Sequence, residues 1–192
     1  MPKRENLDIL KMCIEMSKAK EAYSMTEIES AYFAYEWISQ NIEYDCYWKN
    51  LGNATTEPVT TYKEGKGGDI GIAALFNIIC GLLNIKSNTI SGLTKVRTQN
   101  FKHLIDIRDY SWNFIFIGNK YYLIDLVMGS GVCYGNTFYK KQKDFYFWIN
   151  PEASIRYHFP YDNKWQLLDE IISLDEFYSM ALLQEDFYII RI

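Results

Sequence analysis

The 192-residue chain holds only two histidines and four cysteines, and no two cysteines form a CxxC pair. Cys13, Cys46, Cys80 and Cys133 are widely spread, and only His103 and His158 could add nitrogen ligands, so no zinc spacing exists. A basic excess is missing too: 20 Lys and Arg stand against 24 Asp and Glu, for a net charge of -4. The pairs Lys3-Arg4 and Lys140-Lys141 are too few to make a phosphate-docking stripe, which excludes nucleic acid as the expected partner. No apolar run is long enough to span a bilayer. The longest, Ile70 to Leu83, falls short of the ~20 residues required and contains Asn77. Met1 to Met16 mixes charges with amphipathic spacing and has no apolar core, so no signal peptide is expected. Free thiols in a reducing, cytoplasmic setting are the matching expectation. Repeats and low-complexity tracts are absent, and nothing calls for a cofactor or a metal.

Aromatic residues are abundant: 16 Tyr, 11 Phe and 5 Trp argue against disorder. They imply either a large aromatic core or exposed rings suited to protein contacts. The length suits one domain spanning residues 1–192. Leu7, Leu10, Cys13 and Ile14 recur at helical spacing. Ser24 and Glu27 make a capping-box pattern before a stripe of Ile28, Ala31, Tyr32, Tyr35 and Ile38. Residues 51–68, rich in Gly, Thr and Asn, are expected to form a loop. From about Asp69 to Leu83 the pattern is apolar on nearly every side, which predicts a helix surrounded by protein. A strand is expected over Asn88 to Val96, then a hairpin of Ser111–Ile117 and Lys120–Val127 turning at Gly118-Asn119. Extended pieces are expected around Phe145–Trp148 and Trp165–Leu168, and a last helix capped by Ser173 with Glu176. Helices followed by strands make an α+β domain.

Hairpin parity brings chemistry together. With Gly118-Asn119 as the turn, Trp112 faces Asp125, and Tyr110 lies diagonal to Asp125 on the same sheet face. Diagonal neighbours are roughly 7–8 Å apart, within reach of a long side chain. The helix start KGGDIGIAALF and the hairpin YSWNFIFIGNKYYLID carry a resemblance to transglutaminase-like domains. In those domains the pattern is G-x-C-x-G-x-A-x-L, then H-x-W-N, then an aspartate. Gly71, Ala73, Leu75, Trp112, Asn113 and Asp125 fall where it wants them. SAYFAYEWISQNIEYD, WINPEASIRYHFPYDNKWQLL and DLVMGSG further resemble the kyphoscoliosis peptidase branch, so the similar core runs over about residues 24–183.

The resemblance implies a papain-like core, with N-terminal helices and a buried central helix packed on an antiparallel sheet. It also implies a Cys-His-Asp triad, in which a helix N-terminus lowers the thiol pKa and an acid fixes the imidazole. Here Asp69 holds the thiol position and Tyr110 the imidazole position, while Asp125 matches. A carboxylate makes a poor acyl-transfer nucleophile, and a phenol of pKa near ~10 is a poor base at neutral pH. Asp69 is expected to cap the helix, with ligand binding and catalysis as alternatives. Tyr110 is expected to donate to Asp125 or Asp69, or simply to fill the sheet face. Asp69, Asp125 and Asp109 could hold Mg²⁺ or Ca²⁺ through oxygen, though no spacing supports it. Among the other candidates, Cys80 lies at the far end of the helix, Cys46 and Cys133 in loops, and Cys133 alone merits a test as a replacement thiol. His103 is assigned a surface role and His158 a structural one. The expected function is a catalytically inactive module binding a protein or peptide in a groove of Gly68, Tyr110, Trp112 and Asn113, or serving as a subunit of a larger assembly. An enzyme working through Asp69 and Asp125 is the alternative.

Overall fold

The computed structural model describes residues 8–47, 56–97 and 105–183. It is an α+β fold, as the pattern of elements predicted. Two helices come first, α1 (Ile9–Ala22) and α2 (Glu27–Asn41), followed by a short strand β1 (Glu43–Tyr44). Next come α3 (Pro58–Glu64), β2 (Lys66–Gly67) and the central helix α4 (Asp69–Leu82). The strands β3 (Lys86–Arg97), β4 (Ile105–Ile117) and β5 (Lys120–Ile124) follow, then a helical turn α5 (Leu126–Ser130) and a small hairpin β6 (Gly131–Tyr134) and β7 (Thr137–Lys140). The chain ends its described part with β8 (Phe147–Ile149), α6 (Pro151–Ser154), β9 (His158–Pro160) and α7 (Leu174–Ser179). The main sheet has the order β8-β5-β4-β3-β9 and is antiparallel throughout.

The central helix packs between α2 and the β3–β4 pair. Leu75, Phe76 and Ile79 are fully buried along it, each stabilising the fold by about 1.5–3 kcal/mol. Asn113 ties helix to sheet: its Nδ2 donates to the Ala73 carbonyl and to Asn77 Oδ1, both at 3.0 Å. The hairpin turns where expected, with Ile117 opposite Lys120 and both Gly118 and Asn119 at positive φ, as a tight two-residue turn requires.

Several local expectations are corrected. The capping box of α2 is Thr26 with Glu29, two residues beyond Ser24 and Glu27. Ser24 instead takes a positive φ in the preceding turn. On α1 the buried face is Met12, Cys13 and Met16, while Leu10 and Ile14 are exposed and Leu7 lies outside the described residues. Pro58 at a helix N-terminus and Gly65 in the left-handed C-cap position build α3 within the expected loop. The second hairpin strand stops at Ile124, because Asp125 caps a helical turn. Around Trp165 the chain forms a 3₁₀ turn, not a strand. The capping box of Ser173 and Glu176 forms as expected.

The thiols also depart from expectation. Cys46 and Cys133 form a disulfide, with Cys133 on β6; only Cys13 and Cys80 are free, and both are buried. No helix among the described residues is long and apolar enough to cross a membrane.

Candidate functional site

The N-terminus of α4 and the middle of β4 meet in the interior. Gly68, in extended backbone, is the N-cap, and Asp69 is the first helical residue. The expected capping by Asp69 is therefore corrected, since no side chain caps this helix. Its carboxylate turns to the sheet, where Oδ2 accepts from the backbone N–H of Ser111 at 2.7 Å. Oδ1 is buried without a hydrogen-bond partner among the described residues. Burial is the main reason the Asp69 carboxyl is pushed up to about 6, and the neighbouring Asp125 adds to it. Its own backbone N–H, that of Ser111 and the Arg108 guanidinium pull the other way. Desolvation wins because a charge loses more on leaving water than two amide donors restore.

Asp125 collects four contacts. Tyr110 Oη donates to it at 2.8 and 3.0 Å, the backbone N–H of Met128 donates at 2.9 Å, and His158 Nε2 lies 2.9 Å from Oδ2. Burial, then the charges of Asp125 and Asp69, push the Tyr110 phenol well above its ordinary value. It stays protonated, and so serves as a donor and not as a base. The His158 ring stacks on Trp112 at 4.8 Å and on Tyr110 at 5.7 Å. Among the described residues its Nδ1 has no partner, and neither has Trp112 Nε1.

Gly92 makes this closeness attainable. It sits opposite Tyr110 on β4 and Pro160 on β9. A Cβ there would fall 2.1 Å from the Phe159 carbonyl and 2.7 Å from the Trp112 ring. Only a bare Cα lets β9 come close enough to deliver His158 to Asp125.

The structure thus brings together Asp69, Tyr110, Trp112, Asn113 and Asp125, with Gly68 beside them, and all six are buried. Asp109 is not with the other carboxylates; it is exposed and accepts from Tyr161 Oη. No cluster of three or more metal-ligating side chains exists among the described residues. His103 lies outside the described residues. The residue whose contact the sequence did not show is His158, 33 positions from Asp125. The only signal for it was the HFP segment, since pairing of β9 with β3 leaves no local pattern.

All four cysteines are accounted for. Cys80 is pushed up to about 12 and Cys13 to about 11, both by burial. Cys46 follows Asp45, whose backbone N–H pairs with the Gly67 carbonyl, so the Cys46–Cys133 bond lies beside the strand that leads into α4.

A family model for the transglutaminase-like superfamily matches residues 15–126. The chain is 28% identical to kyphoscoliosis peptidase of Homo sapiens over 167 residues, 85% of this chain and 25% of that protein. The Mus musculus protein of the same name is also 28% identical, over 88% of this chain and 26% of its own length. The chain therefore spans about a quarter of the length of the curated relatives it matches. A solved TGase structure superposes with a TM-score of 0.47 at 12% identity, covering 74% of this chain and 37% of that one.

Proposed function

The chain belongs to the transglutaminase-like superfamily, and from that premise we propose that it has lost thiol catalysis and serves as a protein-binding module. One observation carries the reading. No cysteine is available at the helix start where this family's chemistry requires a thiolate: two are oxidised to a disulfide, and two are buried with raised pKa values. Asp69 occupies that place, and Tyr110 presents a protonated phenol to Asp125. Neither supplies the thiolate nucleophile or the imidazole base of this family's acyl transfer. What remains is an internally bonded scaffold with exposed rings at its surface, among them Tyr134, Tyr139 and Tyr161.

A second reading has its own observation. A buried carboxylic acid at about 6, near an Asp125–His158 pair, has the range of a general acid. One experiment separates the two. Peptide hydrolysis and amine incorporation are measured for the wild type and Asp69→Ala, with and without reductant. The expected result is background turnover in every arm. Turnover lost in Asp69→Ala establishes the acid-based enzyme. Turnover that needs reductant and disappears in Cys46→Ser or Cys133→Ser overturns the loss of thiol catalysis.

A further inference from the structure

Residues 173–183 differ from the rest of the described chain in how they are held. Across this segment only Phe177 is fully buried, while Leu174, Asp175, Glu176, Tyr178 and Ser179 face solvent. Phe177 enters a small apolar cluster with Ile155 and Phe159, distinct from the main core. Among the described residues no strand of the sheet pairs with the segment. Its polar ties run from side chains of the body to main-chain carbonyls of the segment. Lys95 Nζ donates to the carbonyls of Phe177 and, at 2.7 Å, Met180. Arg156 Nη1 reaches the Ala181 carbonyl at 3.5 Å, and Tyr157 Oη donates to that of Leu183 at 2.7 Å.

Donors that read carbonyls, with one apolar pocket that takes the Phe177 ring and the partly buried Met180 beside it, are how a protein holds a peptide segment. Lys95 makes the arrangement exchangeable. It is 1% exposed, it also sits over the Phe177 ring, and burial holds its ammonium below the ordinary lysine value. Both of its acceptors belong to the segment. When the segment leaves, the ammonium regains water, which offsets much of what the lost hydrogen bonds contributed. The connection from Asp169 to Ile171 is exposed and has no regular structure.

We propose that Lys95, Ile155, Arg156, Tyr157 and Phe159 form a peptide-binding groove that the chain's own residues 173–183 fill in cis. Its partner is a peptide with one aromatic anchor at the end of a short helical turn, followed by extended backbone. This deepens the binding-module reading and rests on it, but it concerns a surface that the turnover assay does not probe. A tethered segment acts at an effective concentration of order mM. A peptide of Kd about 10 μM is then outcompeted roughly a hundredfold in the intact chain.

The test uses the full chain with a protease site inserted between Asp169 and Glu170, and the labelled peptide ISLDEFYSMALL, residues 172–183. After cleavage, and with circular dichroism unchanged, the peptide is expected to bind by fluorescence anisotropy, and to bind the uncut chain at least tenfold more weakly. A peptide with alanine at the Phe177 position is expected not to bind, and Lys95→Met in the cut chain to weaken binding about tenfold. A cut chain that unfolds shows the segment to be part of the cooperative core and overturns the proposal. So does a cut, folded chain that takes up no peptide, or one that binds the alanine peptide equally well.

Discussion

Asp69 puts a carboxyl group at a helix start inside the molecule, and its cost can be read as a pH dependence. Its pKa stands at about 6 in the folded chain against a reference of 3.8. Below about pH 4 the group is protonated in both states and contributes no difference. Between 4 and 6 the folded chain keeps a proton that the unfolded chain has released, so stability falls as pH rises through that window. The loss approaches about 3 kcal/mol above pH 6, at about 1.4 kcal/mol for each tenfold difference in proton affinity between the two states. Asp69→Asn keeps an oxygen to accept from Ser111 and cannot ionise. Urea unfolding at pH 4 and pH 7 is expected to show the wild type losing up to about 3 kcal/mol relative to this variant, a difference in which the other carboxylates cancel. Parallel profiles would show that residue 69 carries no buried charge. Tyr110 has the opposite character: its phenol stays protonated, bonded to Asp125 by the same burial that disfavours its ionisation.

At the scale of elements, the close approach of β9, β3 and β4 is what assembles the site, and Gly92 is where it is most exposed to change. Gly92→Ala sets a methyl group against the Phe159 carbonyl and the Trp112 ring, an overpacking expected to cost about 1–3 kcal/mol. Its signature is local: β9 moves away, the 2.9 Å contact of His158 with Asp125 opens, and the His158 ring signals shift in NMR spectra. A variant of wild-type stability with unchanged His158 signals would refute this account. The sequence carried the elements whose signals are local. The all-round apolar run revealed the central helix, Gly118-Asn119 the hairpin register, and parity the pairing of Tyr110 with Asp125. It did not carry what depends on distant strands. His158 meets Asp125 only because a three-residue strand docks on the far edge of β3. Likewise Asp69 bonds Ser111 and does not cap its own helix, a preference settled by tertiary geometry that propensity cannot express.

For the whole molecule, the Cys46–Cys133 bond joins the turn after β1 to the β6 strand and closes 87 residues of chain that include the central helix and the hairpin. A loop of that length is restricted in the unfolded chain, so the crosslink favours folding, typically by about 2–4 kcal/mol. Cys13 and Cys80 are free thiols with nothing to reduce, which leaves this bond as the group a reductant acts on. Wild-type urea unfolding in reductant is therefore expected to lose about 2–4 kcal/mol, and a Cys46→Ser/Cys133→Ser variant to match the reduced protein and ignore reductant. The aromatic bands of the near-UV circular dichroism spectrum are expected to be unchanged by reduction at neutral pH in the absence of urea, because the Asp125 network and the helix–sheet ties of Asn113 do not pass through the disulfide. Equal stability with and without reductant would show that the bond does not restrain the chain. Loss of the aromatic near-UV bands on reduction alone would show that the site's architecture depends on the bond and not on the packing of β9, β3 and β4.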